Sequence, residues 1–109
     1  MSEYDPHEAI NFIYTNAPEF AKAKGQLAQL ETYKSSLKAI MMKKAGEQSL
    51  GGQEREAYAS QEYQDLCKAI GVATEEAEKL KWQLEAAKMR FQAWQTESAN
   101  NRQLEKFTV

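Results

Sequence analysis

Little in this 109-residue chain suits covalent chemistry or cross-linking. It holds one Cys, Cys67, so no internal disulfide can form, and a reducing cytoplasm is the expected setting. No general base is evident near Cys67, which reads as a small hydrophobe beside an apolar seam. His7, the single histidine, falls in a helix-start sequence, where a surface role is expected rather than ligation or proton transfer. Apolar runs reach only about four residues against the ~20 that cross a bilayer, so no membrane span is expected. The opening MSEYDPHEAI is acidic and lacks the layout of a signal peptide. Phosphate-cradling glycine loops, metal-ligand spacings and nucleophile motifs are missing too. The expectation is a protein without catalytic residues, cofactor or metal.

What remains is 42% apolar and 28% charged, a balance that suits long amphipathic helices in one small domain over residues 1–109. The two prolines and five glycines divide the chain. Asp5, Pro6 and Glu8 have the spacing of an N-cap, a first helical residue and a capping-box partner, starting a short helix over 6–15. Asn16, Ala17, Pro18 and Glu19 read as a second start, which predicts a bend near Asn16. The next helix spans 17–45, on the three-four spacing of Phe20, Ala23, Leu27, Leu30, Lys34, Leu37 and Met41. GEQSLGGQ then interrupts the pattern, with the sharp turn expected at Gly51-Gly52. A long helix follows over 53–104, and Ser60 is placed to cap a local restart. Its seam runs from Tyr63, Leu66 and Ile70 through Leu80, Leu84, Phe91 and Trp94 to Asn101, a coiled-coil pattern without strand-type alternation.

The fold class expected is therefore all-α: an antiparallel helical hairpin or coiled coil with a short N-terminal helix. The middle helix is much shorter than the last. Phe91, Trp94 and Leu104 fall in the overhang, where exposure of large aromatics is unfavourable, so a homo-oligomer is expected.

Charge is blocked along the chain. Residues 20–46 carry Lys22, Lys24, Lys34, Lys38, Lys43 and Lys44 against Glu31 alone, whereas 47–78 carry eight acids against Arg55 and Lys68. Two readings of the lysines stand. In one, they pair with the acidic start of the last helix and complement a helix C-terminus. Alternatively, Lys38, Lys43, Lys44 and Arg55, with Tyr33, Tyr58 and Tyr63 nearby, form a phosphate-binding and base-stacking surface.

The segments YKSSLKAIMMKKA, QEREAYASQEY and KWQLEAAKMRFQAWQTESANNR resemble a group of short phage and prophage proteins found near early replication and recombination functions. The likeness runs from about Tyr14 to Arg102. The layout is also similar to the UvsY-type recombination mediators, whose rings bind single-stranded DNA and help load a recombinase. That resemblance implies that Lys34, Lys38, Lys43, Lys44 and Arg55 contact the strand. It implies also that Leu80, Leu84, Phe91 and Trp94 hold subunits together, in the cytoplasm of a bacterial host. A recombination or replication protein is then an expected partner. The competing expectation is a helical adaptor, or an inhibitor of a host enzyme, that acts through protein contacts alone.

Overall fold

The computed structural model describes residues 3–47 and 49–108. Three helices, α1 (Pro6–Lys44), α2 (Leu50–Ala59) and α3 (Gln61–Thr108), account for nearly all of them, and no strand occurs among the described residues.

Helix α1 begins as its sequence dictates, with the Asp5 side chain accepting from the His7 N–H at 2.9 Å. It is not divided in two. One helix runs through Pro18, where separate helices over 6–15 and 17–45 were expected. The reason lies in the stripe. Ala9, Ile13, Asn16, Phe20, Ala23 and Leu27 keep an unbroken three-four spacing, and all six are buried or half-buried. Asn16 belongs to that stripe and donates from Nδ2 to the Phe12 carbonyl at 2.9 Å instead of capping a new helix. Pro18 faces solvent, so its ring does not interrupt the buried stripe. Side-chain packing along the stripe outweighs the ~3 kcal/mol that an interior proline costs.

The connection also differs from expectation. Gly51 and Gly52 are not the turn but the first turn of α2, and no described glycine has positive φ. The chain reverses instead between Ala45 and Ser49. Ser49 is the N-cap and accepts from the Gly52 N–H at 3.1 Å. A Cβ on Gly52 would run into the side chains of Glu47 and Ser49, so the glycine makes room for the cap rather than for a left-handed turn. Ser60 then splits the expected helix over 53–104 into α2 and α3. Its Oγ donates to the Ala57 carbonyl at 2.6 Å and accepts from the Tyr63 N–H at 3.2 Å, ending one helix and starting the next.

Two compact units result. The hairpin unit is Ala21–Glu78, comprising the second half of α1, α2 and the start of α3. Its α1 segment runs antiparallel to the path of α2 and α3, since Lys38 meets Tyr58 of α2 while Lys34 meets Tyr63 of α3. Leu37, Met41 and Ala57 form its core, with Met42 and Leu66 packed alongside. The terminal unit joins the described parts of Met1–Phe20 and Lys79–Val109. Here too the segments are antiparallel, with Tyr4 against Trp94 and Ile13 near Phe91. Its buried apolar residues are Ala9 and Leu80, and the rest of its seam is half-covered.

Candidate nucleic-acid interface

The basic second half of α1 and the tyrosines of α2 and α3 meet in the hairpin unit. Lys38 Nζ lies 4.8 Å from the centre of the Tyr58 ring and 3.8 Å from Glu54 Oε1. Lys34 Nζ lies 5.9 Å from the centre of the Tyr63 ring. The two rings contact edge to face, with centroids 5.2 Å apart and planes at 78°. Each ammonium is thus held by the negative face of a π-system, an arrangement worth about 0.5–1 kcal/mol at an exposed site. Hydrogen bonding with the Tyr58 side chain raises the Lys38 pKa above its ordinary 10.5. That effect outweighs desolvation, and the charges of Tyr58, Glu54 and Tyr63 act in the same direction. Lys38 is a permanent cation at physiological pH.

The expected site residues are only partly brought together. Lys34, Lys38 and Tyr58 converge. Lys43 and Lys44 occupy the last turn of α1, where they complement the helix C-terminus, and Arg55 is exposed on α2. Among the described residues these three form no ion pair. Tyr63 joins the cluster as one of the nearby tyrosines expected, and Glu54 joins it although it did not figure among the expected contacts. Tyr63 carried a signal, because it opens the α3 seam within the tyrosine-rich segment. Glu54 carried none beyond its place in the acidic block.

The patch combines positive charge with exposed aromatic rings. Tyr58 is 45% exposed, and Tyr33 on α1 is 48% exposed. Lysines near exposed aromatic rings can hold phosphates while bases stack on the rings. Glu54 opposes this locally. It neutralises part of the Lys38 charge.

In the terminal unit, the four residues expected between subunits lie along the seam of their own chain. Leu80 is buried, and Leu84, Phe91 and Trp94 are half-buried. Trp94 contacts Phe91 with ring centres 5.8 Å apart, and Tyr4 at 6.3 Å. Arg90 places its guanidinium carbon 4.8 Å from the Tyr4 ring centre and closes this aromatic clasp. Beside it runs an open apolar groove formed by Ile10, Ile13, Tyr14 and Phe91, with Lys88 at its edge.

Cys67 is exposed, contrary to its reading as a small core residue. It follows the seam residue Leu66 and falls just outside the stripe. His7 is exposed in the first turn of α1. No grouping of three or more His, Cys, Asp or Glu that could hold a metal occurs among the described residues, and no helix there is long and apolar enough to cross a membrane. No family profile matches the chain, and no curated protein or solved structure matches it.

Proposed function

We propose that this protein is a non-enzymatic, self-associating helical protein that binds single-stranded DNA through the lysine–tyrosine patch of the hairpin unit. The observation that carries the reading is the convergence of Lys34 and Lys38 on Tyr58 and Tyr63, with Tyr58 still open to solvent. Lys43, Lys44 and Arg55 supply further positive charge from α1 and α2. Self-association repeats this modest cluster once per copy, and screening within ~8–10 Å hides the distant acids of an acidic chain. The resemblance to phage proteins of the replication and recombination region fits a role beside a recombinase.

Fluorescence anisotropy with a labelled oligonucleotide tests this directly. Binding is expected at low salt and weakens as salt rises, with about −0.7 in the log–log slope for each phosphate neutralised. Joint replacement of Lys38, Lys43 and Lys44 by Glu abolishes it while the helical signal is kept. Absence of binding by the natural sequence at low salt overturns the proposal.

A second reading is an adaptor or inhibitor that works through protein contacts alone. The apolar groove of Ile10, Ile13, Tyr14 and Phe91 favours it, because such surfaces accept amphipathic helices. A chain that captures a protein partner yet shows no salt-sensitive affinity for DNA would establish that reading instead.

A further inference from the structure

Helix α3 is apolar on two opposite faces. One is the seam of Leu80, Leu84, Ala87 and Phe91 that packs within the chain. Opposite to it, at the same three-four spacing, run Trp82, Ala86, Met89 and Ala93, all four exposed. Trp82 is 59% and Met89 55% exposed, and Lys81 Nζ lies 5.5 Å from the centre of the Trp82 ring. A helix with a second apolar stripe has a face to bury besides its seam.

We propose that this second face is the interface between two copies of the chain, with α3 packing antiparallel on α3. The order of residue sizes argues for a second copy as the occupant. Large and small side chains alternate along the stripe, and reversing the stripe brings large against small. In a pairing centred between Ala87 and Lys88, Trp82 falls on Ala93 of the partner subunit, and Met89 on the partner's Ala86. This is the interdigitation that closely packed helices need.

The rims agree with that pairing. Glu85 comes opposite the partner's Gln92, and Gln83 opposite the partner's Arg90, so no like charges face each other across the centre. The inference concerns other residues than the lysine–tyrosine patch and stands whether or not DNA is bound.

Sedimentation of the full chain at micromolar concentration is expected to show a dimer or a multiple of it. Joint W82E and M89E substitution should give a helical monomer, and W82A alone should weaken association by about 30-fold or more, as truncation of an interface hot spot does. Orientation is read separately in a Cys67→Ser background. A mixture of A86C and M89C chains should form the mixed disulfide in preference to either homodisulfide. A natural sequence that stays monomeric at high micromolar concentration overturns the proposal, as does an assembly unaffected by W82E/M89E. Preferred homodisulfides at 86 or at 89 would overturn the antiparallel arrangement.

Discussion

The two units solve the same problem with different materials. The hairpin unit buries aliphatic side chains, Leu37 and Met41, beneath Ala57 of α2, which has no exposed surface at all. Its connections are tied by two serine caps and by Glu56, whose Oε2 accepts from the Gly46 N–H at 3.1 Å. The terminal unit relies on a half-wet run of aromatics, Tyr4, Phe91 and Trp94, and leaves the Tyr4 hydroxyl buried without a hydrogen-bond partner among the described residues. Packing of α2 on the end of α1 thus closes a core, where the terminal seam stays half-covered.

The largest effect expected from this contrast is at Leu37. Leu37→Ala should lower unfolding free energy by about 2–5 kcal/mol, the range for buried leucines, whereas Leu84→Ala, half-buried in the terminal unit, should cost clearly less. Chemical denaturation of both variants decides it. Equal losses would break the contrast and mean that the terminal seam is covered by another copy in solution. Next in size is Ala57→Leu, which has no room beneath α2 and should cost about 1–3 kcal/mol by overpacking. The same change at exposed Ala93 should leave monomer stability within ~0.5 kcal/mol, as surface substitutions do.

Ser60→Ala removes the hydroxyl that serves both α2 and α3, and a loss of about 1 kcal/mol in thermal stability is expected. An effect of opposite sign is expected at Gly71, which is exposed within α3 with open space where a Cβ would stand. Gly71→Ala should raise stability by up to about 1 kcal/mol. Destabilisation there would reveal a close neighbour in the assembly. The smallest effect is the alkaline limb. The Lys38 pKa is raised on folding, so its favourable contribution is complete below 10.5 and lost as pH climbs past that value. Lys38→Met should flatten this limb, as followed by circular dichroism through alkaline titration.

Much of the fold was legible because three-four spacing carries phase. Ten α3 seam positions from Leu66 to Ser98 are buried or half-buried, as their periodicity required. The same phase argument, applied through Pro18, would have joined the two halves of α1. The local proline and Asn16 signals read as a break because they report backbone preference and not packing. Gly51-Gly52 misled similarly, since a glycine pair says nothing of a serine cap just before it. The candidate site was legible in composition but not in partners. Lys34, Lys38 and Tyr58 stand out as a basic block near tyrosines, while the pairing with Glu54 depends on how α2 is laid against α1. The Tyr4–Arg90–Trp94 clasp joins opposite ends of the sequence, and only the register between α1 and α3 brings it about.

The antiparallel register also fixes an order of events. Contacts around Leu37, Met41 and Ala57 close short loops, whereas Tyr4 meets Trp94 only after nearly the whole chain has been brought round. Loop closure grows more costly with length, so pairing begins beside α2 and travels outward like a zipper, the aromatic clasp being the last to fasten. Opening should run the other way. Amide hydrogens near Tyr4, Phe91 and Trp94 are expected to exchange with solvent first, and those flanking Ala57 last.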